Sequence, residues 1–218
     1  SAALTALALL ASYVEELKMG MARALEKGVE ITGLGEFKEY ARNALAEKGE
    51  AVAAGKEITD VQILENLGLM QMMDLYEVNL MNPKTIIGLF VGAMMAFVFC
   101  GLTMNAVGRA AGEMVDEVRR QFKELPGILE GKSEPDYARC VKISTLSAQK
   151  EMMVPSLLAV IVPVLLGLLF GVPAVMGLLG GTLSSGFVLA VFMANAGGAW
   201  DNAKKYIEEG HLGGKGSD

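Results

Sequence analysis

Two stretches of this 218-residue chain, Thr85 to Gly108 and Met152 to Trp200, contain no Asp, Glu, Lys or Arg. No other feature restricts the fold as strongly. A helix in water needs a wet face, so its charges recur every turn or two. A long uncharged segment suits a bilayer instead, where about 20 apolar residues make one helical crossing. The first stretch is long enough for one crossing and the second for two. Inside lipid each backbone group must be satisfied within its own helix or barrel, and these runs are helical in length. The expected fold is therefore all-α, a polytopic bundle of transmembrane helices. Ser1 to Val14 is also uncharged but too short for a span, and reads as the outer part of a fourth helix. A buried core helix of a soluble protein is the alternative for any one segment. Three such segments in one short chain speak against it.

The remaining charges lie in blocks between the runs, and their placement of Lys and Arg matters more for topology than the net charge of -6. That balance supplies no concentrated basic face, so nucleic acid is not an expected partner. Cys100 and Cys140 form neither a disulfide framework nor a metal-ligand spacing, and read as small buried residues. Ser1 opens inside an apolar run and Asp218 follows a Gly-rich loop, so the chain is expected to be cut at both ends.

The expected organisation is a partial transmembrane helix over 1–17, an inserted non-cytoplasmic helical loop over 18–82, and a transmembrane helix with a cytoplasmic extension over 83–123. A cytoplasmic loop and helix start follow over 124–151, a transmembrane helix over 152–171, another over 172–209, and a cytoplasmic loop over 210–218. Asn82-Pro83-Lys84 is a helix-entry signal, and Phe170-Gly171-Val172-Pro173 permits a tight reversal. In the outer loop, Glu36 to Ala53 is expected to be helical with Phe37, Ala41, Ala44 and Leu45 on one side, followed by a Met-rich apolar piece from Val61 to Leu75. Lys and Arg are dense from Arg109 to Glu151, and Lys204, Lys205 and Lys215 follow the last span. Two crossings put both segments on one side, the cytoplasmic one. Gly88, Gly92, Gly177, Gly180 and Gly181 stand in the spans, where small residues allow close backbone approach. Met94, Met95, Met104, Met152 and Met153 read as adaptable packing rather than a metal path.

The richest chemistry lies at Asn195-Ala-Gly-Gly-Ala-Trp-Asp201-Asn202-Ala-Lys204-Lys205-Tyr206. On a continuing helix Asp201 stands one turn from both Lys204 and Lys205. One reading is an interfacial ion pair with snorkelling lysines. The other is a site for a phosphate compound, with a carboxylate holding Mg²⁺ beside substrate phosphates and lysines offsetting the rest of their charge. In that reading Gly197 and Gly198 let other helices approach just above the site.

Gly197 to Glu208, GGAWDNAKKYIE, resembles the signature of the membrane-bound ion-pumping pyrophosphatases. Further similarities follow in the same order: Gly112-Glu-Met-Val-Asp-Glu-Val-Arg-Arg-Gln-Phe122 with Pro126-Gly127 and Gly131, then Pro135-Asp136-Tyr137-Ala138 with Cys140 to Thr145 and Lys150-Glu151-Met152, then Lys215-Gly216-Ser217-Asp218. Ser1-Ala2-Ala3-Leu4 is similar to the span after that family's GNTTAA-type motif. The long segment Lys18 to Met81, and Asn105 and Leu146, depart from the pattern.

The resemblance implies a many-helix, multi-pass subunit that works as a homodimer in a prokaryotic inner membrane. It implies Mg-dependent hydrolysis of pyrophosphate to two phosphates, coupled to outward pumping of H⁺ or Na⁺, with K⁺ dependence left open. Asp201 is implied as a catalytic residue and Mg²⁺ ligand, and Lys204 as a catalytic lysine on pyrophosphate. Lys205 is implied as a further substrate contact, with Asn202 one layer behind them. The aspartates that orient the attacking water fall outside these residues, so the isolated piece is expected to be inactive. A non-enzymatic carrier or scaffold segment, with Asp201 and the lysines as interfacial anchors, is the competing reading.

Overall fold

A computed structural model describes residues 2–48, 57–128 and 130–215. The end of the helix expected over Glu36 to Ala53, and Gly216, Ser217 and Asp218, lie outside the described residues. Among the described residues every regular element is helical: α1 (Ala2–Glu26), α2 (Lys38–Glu47), α3 (Asp60–Asn66), α4 (Leu69–Leu75), α5 (Pro83–Glu124), α6 (Tyr137–Phe170) and α7 (Val172–Glu208). Short 3₁₀ turns cover Leu34–Phe37 and His211–Gly213. Helices α5, α6 and α7 are each long and apolar enough to cross a membrane. The chain is an all-helical integral membrane protein.

The helices form two compact units, Ser1–Gly92 with Phe170–Val188, and Ala93–Leu169 with Leu189–Asp218. In the first, α1 changes character along its length. Leu4, Leu7 and Leu9 are exposed, whereas Val14 is buried with Leu17, Met21 and Leu25 packed on the same cluster. That three-to-four-residue spacing makes one apolar stripe, and it carries α1 well past the expected boundary at 17. On it sit Leu34, Ala41, Leu45, Ile58, Ile63, Leu64, Leu67 and Met72. The expected side of the outer helix is realised in Ala41, at 0% exposure, and Leu45, although a 3₁₀ turn replaces its first residues after Gly33, whose φ is 85°.

The expected single piece from Val61 to Leu75 is two helices. Leu67 (ψ 130°) and Gly68 (ψ 178°) are extended, which ends α3 and turns the chain so that Ile63, Leu64 and Met72 all reach the core. Thr59 starts α3 with a capping box: its Oγ1 accepts from the Gln62 amide at 3.3 Å, and the Gln62 side chain accepts from the Thr59 amide at 3.1 Å. At the entry to α5, the Asn82 side chain accepts from the Lys84 amide at 3.0 Å, and Pro83 supplies a first residue that needs no donor.

Glycines join α5 to α7 within this unit. A Cβ added at Gly88 would fall on the Ala174 carbonyl, one at Gly92 on the Leu178 carbonyl, and one at Gly177 on the Thr85 carbonyl. The two backbones touch because all three positions lack a side chain. Thr182 adds a hydrogen bond from its hydroxyl to the Gly92 carbonyl at 3.2 Å. Gly180 has nothing within 4 Å of its would-be Cβ, so the small face is used selectively.

In the second unit α5 and α6 are tied by polar groups. Arg109 forks onto Glu151, and the Ser147 hydroxyl donates to Glu113. A largely apolar cavity of about 610 Å³ lies between the helices, lined by Phe99, Val107, Met114, Ala148 and Met152 among others. Toward the connection, the Glu117 carboxylate, 5% exposed, takes Arg120 at 2.7 Å and Arg139 at 3.0 Å. Gln121 reads both backbone groups of Asp136, donating to its carbonyl at 3.1 Å and accepting from its amide at 2.9 Å. Positive φ at Gly127 (96°) and Gly131 (70°) closes the loop. α6 then runs through Pro155 and Pro163 to Phe170, and Gly171, with φ 78°, separates it from α7.

Candidate functional site at the end of α7

The last turns of α7 carry the expected cluster on one continuous helix, because nothing from Val172 to Glu208 interrupts the backbone ladder. The carboxylate of Asp201 binds Lys205 at 2.6 Å, one turn on. Lys204 points elsewhere. Its ammonium lies 3.9 Å from the Glu208 carboxylate, so the two neighbouring lysines serve different partners. Asp201, Asn202, Lys204 and Lys205 are all exposed, as is Trp200 at 78%. Gly197 and Gly198 have nothing within 4 Å, so no described helix makes the close approach expected there.

Beyond α7 the chain turns back on itself. Gly210 (φ 99°), Leu212 (54°), Gly213 (98°) and Gly214 (80°) all take positive φ, the region glycine enters without steric cost. The turn lays the His211 ring on the Tyr206 ring, centroids 4.0 Å apart and 7° from parallel. It also brings Lys215 to 3.8 Å from Glu208, on the carboxylate oxygen that Lys204 faces. Sequence reasoning missed Glu208, His211 and the neighbourhood of Lys215. The Lys204–Glu208 spacing was an available signal; the return of Lys215 depends on four positive-φ residues within 210–214, which no periodicity encodes.

Mg²⁺ keeps several waters and takes one or two carboxylates together with substrate oxygens. Among the described residues no group of three or more His, Cys, Asp or Glu could enclose a metal ion. An exposed single carboxylate such as Asp201, 56% exposed at its side chain, fits that partial role and not a complete protein cage.

The Glu117 cluster lies outside the uncharged span that ends at Gly108. Hydrogen bonds from Arg120 and Gln121, with the nearby Arg139 charge, hold the Glu117 carboxyl down at about 2 against the cost of burial. It stays ionised and serves as a strut. The family similarities around Gly112–Phe122 and Pro135–Asp136 thus meet at one structural clamp, through Glu117, Gln121 and Asp136.

A profile of the family described as inorganic H⁺ pyrophosphatase matches residues 1–218. The chain is 56% identical over 218 residues to a putative K⁺-stimulated pyrophosphate-energized sodium pump of Bacteroides thetaiotaomicron, covering 100% of this chain and 26% of that protein. It is 47% identical over 200 residues to a protein of the same description from Clostridium tetani, covering 91% of this chain and 29% of the relative. A K⁺-insensitive pyrophosphate-energized proton pump of Chloroflexus aurantiacus is 50% identical over 179 residues, which cover 78% of this chain and 23% of that protein. The chain thus spans between a fifth and a third of the length of these curated relatives.

Proposed function

Since the chain belongs to the inorganic H⁺ pyrophosphatase family, we propose that it is part of a pump that couples Mg-dependent hydrolysis of pyrophosphate to outward transport of H⁺ or Na⁺. The observation that carries this reading is the charged end of α7, where Asp201 and Lys205 stand 2.6 Å apart and Lys204 one turn from Glu208, inside a chain that the family profile matches throughout. Relatives named as pyrophosphate-energized pumps support the substrate and the transported ions.

In this reading Lys204 and Lys205 bind phosphoryl oxygens, and Asp201 holds Mg²⁺ while orienting Lys205. Asn202, the next residue along the helix, stands one layer behind those ligands. When bound, Mg²⁺ would offset phosphate charge and polarise a phosphoryl oxygen. Water adds to one phosphorus, the bridging P–O bond breaks, and two phosphates leave with the proton released from water. The lysines hold the leaving phosphate as its charge grows.

Residues 124–151 and 210–218 face the cytoplasm in this reading, and 18–82 lie on the opposite side. Dense Lys and Arg around α5, α6 and α7 support that orientation. In the same reading the working form is a homodimer in a prokaryotic inner membrane, as the family resemblance implies. The residues described here are inactive by themselves, because the groups that orient water belong to other parts of the subunit.

The test is pyrophosphate hydrolysis by membranes carrying the full-length protein and its Asp201→Asn variant. The proposal expects Mg²⁺-dependent hydrolysis that Asp201→Asn abolishes at unchanged membrane level. An Asp201→Asn protein that hydrolyses normally would leave the cluster as an interfacial anchor, as in a carrier or scaffold.

A further inference from the structure

Glu208 holds two ammonium groups at once. Lys204 lies 3.9 Å and Lys215 3.8 Å from the same carboxylate oxygen. Both distances exceed a hydrogen bond, so the carboxylate brings the two cations together without using up their donors, of which each ammonium has three. With Lys205 one residue along the helix, the α7 end gathers three ammonium groups against the carboxylates of Asp201 and Glu208. Two lysines facing one anionic oxygen is the arrangement that a diphosphate would meet with an oxygen from each phosphoryl group.

The position of Lys215 is built rather than incidental. Leu212 accepts a positive φ of 54°, a conformation disfavoured for a residue with a Cβ, in the turn that stacks His211 on Tyr206. The stack clips the returning chain to the last turn of α7, and Lys215 follows it to Glu208.

We propose that Lys215 is a further pyrophosphate-binding residue, that Glu208 keeps its place while the site is empty, and that the His211–Tyr206 stack positions it. The proposal rests on the reading of α7 as the pyrophosphate site and adds a residue from beyond the helix. On binding, phosphoryl oxygens take the place of the Glu208 carboxylate at Lys204 and Lys215. His211 acts through the backbone and touches no substrate.

The experiment uses the full-length pump in membrane vesicles and separates KM from kcat for Mg-pyrophosphate. Lys215→Met is expected to raise KM about tenfold, the loss of one charge-assisted contact, with kcat within about twofold of wild type. Lys215→Arg should stay near wild type. His211→Ala should raise KM by a smaller factor, and His211→Phe, which keeps a stacking ring, should restore it. If Asp201→Asn is inert while Lys215→Met keeps the wild-type KM, the α7 site stands and this inference falls. If Asp201→Asn hydrolyses normally, the α7 reading and the inference fall together. A Lys215→Met protein too slow for kinetics is scored by its thermal transition with Mg-imidodiphosphate, provided the ligand-free transition matches wild type. Lost protection supports the role, and full protection overturns it. Lys215→Gln is read the same way if Lys215→Met does not insert.

Discussion

The hydrophobic core of the first unit and the charged end of α7 are opposites in construction. Around Ile63 and Met72, both at 0% exposure, side chains are held by volume, with one capping box setting the angle of α3. Around Asp201 the groups are exposed and held only by charge and by one ring stack. A well-filled core is sensitive to a missing methyl and indifferent to salt. An exposed ionic cluster is structurally undemanding and keeps its donors and acceptors for a ligand. If α7 carries the proposed site, stability and function separate in this chain, and substitutions should divide into those that unfold it and those that only silence it.

The comparison breaks most readily at the α5–α7 crossing. Gly88→Leu drives a side chain into the Ala174 carbonyl, and about 3 kcal/mol or more of destabilisation is expected, from the upper end of overpacking costs. A thermal or denaturant transition of the full-length protein in detergent measures it, and a wild-type transition would refute the backbone contact. Ile63→Ala empties a fully buried site, for which about 3 kcal/mol is expected in the same assay. Neither effect should be matched by a change at Lys204 or Asp201.

A smaller effect concerns acid. The Glu117 carboxyl is held down to about 2, below its ordinary value near about 4.3 in an unfolded chain. A depressed carboxylate contributes its full stability above the unfolded value and loses it as pH falls from there toward 2. Glu117→Gln should therefore lower the transition at neutral pH and flatten its dependence on acid between roughly pH 4 and 2. An unchanged acid limb would mean that the carboxylate is not paired as described.

The smallest expected effect has the opposite sign. The Thr85 hydroxyl is buried without a partner among the described residues. Thr85→Val keeps the shape and removes the unsatisfied group, so stability should hold or rise by up to about 1 kcal/mol. A clear loss would show that the hydroxyl is bonded.

Much of this fold is written in the spacing of charge. The entry of α5 at Pro83 and the break at Gly171 follow from the Asn82-Pro83 and Gly171-Val172-Pro173 punctuation beside the uncharged runs. The outer helices were only partly legible. Val61 to Leu75 is uniformly apolar enough to read as one piece, and its division at Leu67–Gly68 is decided by tertiary packing on Ile63 and Met72. At the site, the Asp201–Lys205 spacing was legible because helical pairs lie at i and i+4. The pairing of Lys204 with Glu208 instead of Asp201 was not, since Asp201 has a carboxylate within reach of both lysines and only side-chain direction chooses between them. The Gln121–Asp136 clamp joins two helices across a loop closed by glycines, a long-range contact that local pattern does not specify.

The central claim is that the charged end of α7 binds pyrophosphate. The most direct test is titration of the purified full-length protein with imidodiphosphate, with and without Mg²⁺, for wild type, Lys204→Met and Thr85→Val. Binding by wild type and Thr85→Val that requires Mg²⁺ and weakens about tenfold or more in Lys204→Met is the predicted result. Equal binding by Lys204→Met and wild type would contradict the assignment of α7 as the pyrophosphate site.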